Sequence, residues 1–270
     1  MNIIIFGSSG LIGQNLINHF VKETKYNIYG VSRYKLTSNN RVTYANYNNF
    51  HKIIPIKIDF LIYTTGLAHK LKYSKNSIYK INVDLLRQNL KNLSNHKINT
   101  FIYLSSLKVL GEDGQFNTKS IPNPQSDYAN SKYRAENLIS DNFDNFKTKI
   151  IILRLPVVLS QNPKGSLKIM RIFSKLKIPM PLANINNSKS IISMESLCKN
   201  VNEIIDNSQN FKKIHYIKDK DLSTTEIYRY LNNYNKSKLY DCPFILKNFI
   251  KLFFQRLYKR LFNDFSIIIK

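Results

Sequence analysis

Three glycines at three-residue spacing, in Gly7-Ser8-Ser9-Gly10-Leu11-Ile12-Gly13, stand between a short apolar run and a stretch with helical periodicity. The run at residues 2–6 (NIIIF) is continuous and apolar, as expected of a strand buried on both faces. Beyond the glycines, Leu11, Ile12, Leu16, Phe20 and Val21 recur at helical spacing within 11–22. A strand that turns through glycine into a helix offers free amides and the positive end of the helix dipole to an anion. In that context Gly7 permits the tight turn, Gly10 lets a pyrophosphate approach the backbone, and Gly13 lets the helix pack closely on the sheet. The pattern predicts a dinucleotide-binding turn, with Gly7, Ser9, Gly10, Leu11, Ile12 and Gly13 at the cofactor.

The alternation continues. Strands fit 27–31, 42–46, 59–63, 100–105 and 149–154, and helices fit 75–96 and 127–141. Ile81, Leu85, Leu86, Leu90 and Leu93 give the first of these helices one apolar side. Strands alternating with helices predict an α/β fold, a Rossmann-type doubly wound parallel sheet over residues 1–155. Pro156, Pro163, Pro179 and Pro181 then punctuate a looser pattern. Residues 156–270 read as a smaller C-terminal, mainly substrate-binding region, parts of which (about 188–218) return to the sheet. Residues 244–262 predict one amphipathic helix with five basic residues, no acidic one, and an apolar stripe of Leu246, Phe249, Phe253, Leu257 and Leu261. Either that stripe packs within the small region, or it lies weakly on a membrane surface.

Charge adds less than its size suggests. The 270 residues carry 41 basic and 17 acidic side chains, a net charge of +24. Of the basic residues 32 are lysine and 9 arginine, beside 34 asparagines, a mixture that AT-rich codons produce. The excess fits compositional drift plus an anionic small substrate better than specific nucleic-acid binding. Cys198 and Cys242 are too few for a disulfide framework or a cysteine zinc site, and His19, His51, His96 and His215 lack ligand spacing, so no metal is expected. The chain lacks an 18-residue apolar run, and its first residues read as a strand and not as a signal peptide. The expected location is cytoplasmic.

Tyr128-Ala-Asn-Ser-Lys132 carries the chemistry. At i and i+4 on a helix, Tyr128 and Lys132 share one face. A tyrosine hydroxyl is a poor base near neutral pH, with an unperturbed pKa of about 10. A nearby ammonium stabilises the phenolate, and such a pair exchanges a proton with a sugar hydroxyl or ketone. Ser105 and Ser106 close the strand before this helix, and either hydroxyl is placed to bond the reacting oxygen.

These features together resemble the extended short-chain dehydrogenase/reductase superfamily, specifically its nucleotide-sugar epimerases, dehydratases and ketoreductases. The glycines match its G-x-x-G-x-x-G, and Leu61-Ile-Tyr-Thr-Thr-Gly66 takes the place of the segment that walls the cofactor. Asn82 matches the asparagine of the following helix, and Tyr103-Leu-Ser-Ser-Leu-Lys-Val-Leu-Gly111 resembles S-S-x-x-V-Y-G, which puts Ser106 on the catalytic serine. Arg154-Leu155-Pro156 resembles the "R-P" segment at the nicotinamide end. The resemblance implies Ser106, Tyr128 and Lys132 as catalytic residues. It implies Thr64, Thr65, Gly66, Asn82, Leu155 and Pro156 at the cofactor, and Leu67 and His69 near the sugar.

Further on, Pro163–Met170, Lys177–Leu182 and Asn187–Leu197 follow a branch that resembles bacterial enzymes reducing or epimerising UDP-N-acetylhexosamine derivatives for surface polysaccharides. Lys189 stands where that branch has a phosphate-holding arginine, and Ser166 and Leu167 match its nucleotide-pocket pair. Lysine keeps the charge but loses the bidentate fork. The resemblance also implies a UDP-sugar substrate and a homodimer formed through two helices per subunit.

Some positions depart from the pattern. The second strand ends in Val31-Ser32-Arg33, with no aspartate for the ribose hydroxyls, and Asn46 replaces an acid after the third. A basic residue there favours a 2′-phosphate, hence NADP over NAD; the alternative is an NAD enzyme in which Arg33 stacks on adenine. Leu107-Lys108 follow Ser106 where a dehydratase wants an acid pair, which argues against dehydration. The expected activity is reduction or epimerisation at C4 of a UDP-(N-acetyl)hexosamine derivative, or 4-epimerisation of UDP-glucose or UDP-GlcNAc. A contrasting reading is a non-catalytic dinucleotide-binding regulator or scaffold. Members of the resembled family usually continue past a stretch like 264–270, so a shortened chain is expected.

Overall fold

The structure, a computed structural model, describes the chain except residues 24–25, 35, 68–72, 144–146, 161, 164, 232–237 and 270, and except the side chains of Glu23 and Ser166. His69 lies outside the described residues. The chain divides into two compact units. The first comprises 1–109, 124–155 and 194–217; the second comprises 110–123, 156–193 and 218–270. In chain order the strands are β1 (Asn2–Phe6), β2 (Asn27–Ser32), β3 (Val42–Asn46), β4 (Lys57–Tyr63), β5 (Lys97–Ser106), β6 (Gly114–Asn117), β7 (Lys149–Leu155), β8 (Val157–Leu159), β9 (Met180–Ala183), β10 (Lys189–Ser193), β11 (Ile214–Tyr216), β12 (Lys220–Leu222), β13 (Leu239–Asp241) and β14 (Phe265–Ile268).

Among the described residues, the first unit builds a wholly parallel sheet in the order β11-β7-β5-β4-β1-β2-β3. Its central strands β1, β4 and β7 carry apolar runs because helices cover both faces. Ile4 and Phe6 of β1 join Leu61, Phe101 and Ile152 in a core closed by Leu86, Leu90, Ala135 and Ile139 from helices. By the pleat, the equally buried Ile3 and Ile5 face the other way. The helices Leu11–Glu23 and Met194–Asp206 pack against each other. The sheet order reverses between β1 and β4, and in sheets of this kind ligands sit at the carboxyl ends of the strands at such a reversal.

The helix expected over 75–96 differs in two ways. Ser74 Oγ caps its start by accepting from Ser77 N–H, and Lys80–Asp84 form one wide π-type turn inside it. It ends at Asn92, where the Leu93 N–H is shared between the carbonyls of Asn89 and Leu90. The polar Ser94-Asn95-His96 that follow carry no apolar stripe to extend it.

The second unit has a sheet ordered β12-β10-β14-β6, with β8 on β10, and a separate parallel pair of β13 and β9. One core gathers Leu159, Ile191, Leu222, Ile227 and Leu231; another gathers Leu182, Ile185 and Tyr228. The single helix expected over 244–262 is two helices, Phe244–Phe253 and Gln255–Phe262, broken at Phe254 (φ −132°, ψ 55°). The break re-aims the second helix, whose Leu261 and Phe262 pack on Leu182, Ile185 and Tyr228. Among the described residues, no helix is long and apolar enough to cross a membrane.

Candidate active site

The carboxyl ends of parallel β1, β2, β4, β5 and β7 bring Gly7, Arg33, Thr64–Gly66, Ser106 and Leu155 to one edge of the first unit's sheet. Gly7 has φ +83°, and a Cβ there would lie 2.6 Å from Thr64 Oγ1. A Cβ on Gly13 would fall 2.3 Å from the Gly7 oxygen, so the helix can approach the turn only because Gly13 has no side chain. Gly7 and Ser8 N–H both donate to Val31 O, Gly10 N–H to Gly7 O and Gln14 N–H to Gly10 O. The amides of Leu11, Ile12 and Gly13 therefore belong to the first turn, where helix geometry leaves N–H groups pointing out along the axis.

The flanking side chains brace this edge. Thr64 Oγ1 donates to Phe6 O at 2.7 Å, and Thr65 Oγ1 shares a 2.8 Å hydrogen bond with Tyr47 Oη. Ser32 is buried and donates to Tyr34 O at 2.7 Å. Arg33 is exposed, with its guanidinium carbon 5.7 Å from the Tyr34 ring centre. Buried Asn82, in the wide turn, accepts from Leu67 N–H at 2.7 Å and donates to Leu67 O and to Ser131 Oγ. Ser131 Oγ in turn donates to Tyr128 O at 2.8 Å. Asn82 thus clamps the loop after β4 to the helix that carries Tyr128.

That helix, Asp127–Phe143, holds Tyr128 half-buried and Lys132 only 4% exposed. Lys132 Nζ donates to Leu104 O at 2.8 Å and lies 4.6 Å from the centre of the Tyr103 ring. Burial pulls its pKa down to about 8, against the opposing pull of Glu136. A Cβ on Gly66 would lie 3.1 Å from that ammonium nitrogen, so Gly66 keeps the space above Lys132 open.

The structure separates the two serines. Ser106 is half-buried and its Oγ accepts from Lys108 N–H at 3.3 Å, whereas Ser105 is buried and donates to Glu136. Glu136 is spent on Arg154, which reaches it through Nη2 at 2.7 Å and Nε at 3.2 Å and reaches Tyr216 Oη at 3.0 Å. Arg154 is therefore a buried brace within the first unit.

Residues 3–196, well over half the chain, match the family described as NAD dependent epimerase/dehydratase family. The chain belongs to that NAD-dependent epimerase/dehydratase family. A UDP-glucose 4-epimerase of Vibrio cholerae is 23% identical over 245 residues, covering 85% of this chain and 74% of the relative. The crystal structure of UDP-glucuronic acid 4-epimerase from Bacillus cereus in complex with NAD superposes with a TM-score of 0.74 at 17% identity, over 90% of this chain and 86% of that one. A dTDP-glucose 4,6-dehydratase from Bacillus anthracis in complex with NAD gives a TM-score of 0.69 at 15% identity, over 89% and 84%. At such identities the structures establish the shared fold.

The epimerase/dehydratase chain has a donor set suited to a dinucleotide: first-turn amides, the half-buried Ser9 and the Arg33 guanidinium, around glycines that a Cβ would disrupt. Leu155, paired in register with Ser106, and Leu67 are buried at the same edge. Pro156, Ser166, Leu167 and Lys189 belong to the second unit. There Leu167 packs against the Leu159–Ile191–Leu222 core. Lys189 is 7% exposed and its Nζ donates to Asn263 O at 2.9 Å. Sequence reasoning missed Glu136, although it follows Lys132 by four residues on the same face, and it missed Tyr103, whose buried hydroxyl has no partner among the described residues. Among the described residues no cluster of His, Cys, Asp or Glu could hold a metal.

Proposed function

We propose that this enzyme is a 4-epimerase of a UDP-linked hexose or N-acetylhexosamine. The observation that carries the reading is the Tyr128–Lys132 pair on one helix face, with half-buried Ser106 at the end of the adjacent β5. The name of the Vibrio cholerae relative supports the substrate class. The nicotinamide, when bound, supplies the hydride acceptor and donor for C4. First-turn amides and Ser9 hold the pyrophosphate, and Ser106 Oγ holds the C4 oxygen. Tyr128, as the phenolate that the Lys132 ammonium stabilises, takes the proton from the C4 hydroxyl on Oη as the hydride leaves C4, and returns it when the hydride comes back. Ser105 stays bound to Glu136, so Ser106 alone of the pair is available to substrate.

A C4 reductase is the second reading, favoured by exposed Arg33 at the end of β2 with no aspartate beside it, which suits the 2′-phosphate of NADP. One experiment separates the two. The protein is incubated with UDP-glucose, UDP-galactose and UDP-N-acetylglucosamine, products are identified, and the bound cofactor is weighed by mass spectrometry. Interconversion of C4 epimers without net cofactor consumption, with NAD bound, supports the epimerase. Stoichiometric NADPH consumption with a 4-keto sugar rejects it. If Tyr128→Phe retains full turnover, neither reading survives.

A further inference from the structure

We infer that the helices Phe244–Phe253 and Gln255–Phe262 of the second unit form a docking face for an anionic lipid surface. Phe244, Ile245, Leu252 and Phe253 are 78%, 82%, 71% and 63% exposed, and Phe249, Phe254 and Leu257 are exposed as well. Seven large apolar side chains within fourteen consecutive residues are far more than the scattered exposure of an ordinary surface. The Phe249 ring lies tilted against those of Phe253 and Phe254, with centroids 4.8 and 6.0 Å apart, so part of the patch is a preformed aromatic cluster.

Charge complementarity selects the occupant. Lys247, Lys251, Arg256, Lys259 and Arg260 lie in this segment and no acidic residue does. Lys247 Nζ sits 5.2 Å from the Phe262 ring centre and Lys251 Nζ 5.9 Å from that of Tyr258, while Lys259 is held by Asp113. Lys251 and Arg256 are exposed in the same stretch as Leu252, Phe253 and Phe254, and lysine and arginine so placed reach a headgroup layer while apolar groups enter the acyl boundary. A nucleic acid matches the charge but offers no apolar phase for Ile245 or Leu252. The break at Phe254 leaves two short helices suited to lying in an interface and too short to cross it.

The test is sedimentation of the full chain with vesicles of pure phosphatidylcholine and of phosphatidylcholine mixed equally with phosphatidylglycerol, at low and high salt. Binding to the anionic vesicles is expected to exceed that to neutral ones by about tenfold at low salt and to fall as salt rises. Leu252→Ser/Phe253→Ser is expected to abolish it. Lys251→Glu/Arg256→Glu, at two exposed positions, is expected to abolish it with an unchanged melting curve, which guards against a folding defect. Absence of binding, or equal binding to neutral vesicles, overturns the inference. Self-association in sedimentation velocity that Leu252→Ser removes, without vesicle binding, assigns the face to a second copy of the chain instead.

Discussion

Lys132 in the first unit and Lys189 in the second are the lysines buried among the described residues, and each donates to a backbone carbonyl at nearly the same distance, 2.8 and 2.9 Å. Their surroundings differ. Glu136, the carboxylate whose charge acts on Lys132, is committed to Arg154 and Ser105, so burial prevails and lowers the Lys132 pKa to about 8. Lys189 lies close to Asp113. Burial pushes that carboxyl up, but hydrogen bonds from Lys259 and Asn263 and the charges of Lys259 and Lys189 hold it below its ordinary range. A buried cation without a carboxylate of its own is poised for proton chemistry; one inside a shared ionic network secures the fold. The phosphate task that resemblance assigned to Lys189 competes with this structural one.

The largest effect is expected for Lys132→Met, which should lower turnover by about a thousandfold without lowering the melting temperature. In Lys189→Met, kcat should stay nearly unchanged. Equal loss of kcat in the two variants would erase the distinction. Next, Glu136→Gln leaves Arg154 buried beside a neutral partner and should cost about 3–5 kcal/mol of stability by urea titration, with much of that recovered in Glu136→Gln/Arg154→Met.

The pH dependence sharpens the same point. Folding lowers the Lys132 pKa from 10.5 to about 8, so between these values the unfolded chain binds more protons than the folded one. Stability from this group must then rise with pH across that window, by about 3 kcal/mol at most. The rise should vanish in Lys132→Met, while catalytic turnover of the wild type falls above about pH 8. The smallest effect is on Lys189→Met stability, a loss of about 1.5–3 kcal/mol for one hydrogen bond to a charged group.

Much of the fold was legible because its signals are local. The runs at 2–6, 59–63 and 149–154 are apolar for the same reason that β1, β4 and β7 are buried on both faces. The glycine spacing and the Tyr128–Lys132 pair are likewise short-range patterns on single elements. The brace beneath them was not legible, since Ser105, Glu136, Arg154 and Tyr216 come from four elements and meet only through strand order. Lys189 and the Asn263 carbonyl are 74 residues apart. The helix break at Phe254 depended on where Leu261 and Phe262 found a core, which periodicity alone does not encode.

The wide turn at Lys80–Asp84 has a consequence for how such a site could arise. Relative to an α-helical turn it contains one additional residue, and that residue changes by about 100° the direction in which everything after it faces. The clamp from Asn82 to Leu67 and Ser131 therefore depends on chain length as well as side-chain identity. Substitutions can weaken that clamp, but only a single-codon insertion or deletion can shift its phase, so the history of this part of the site should be recorded in gaps more than in replacements.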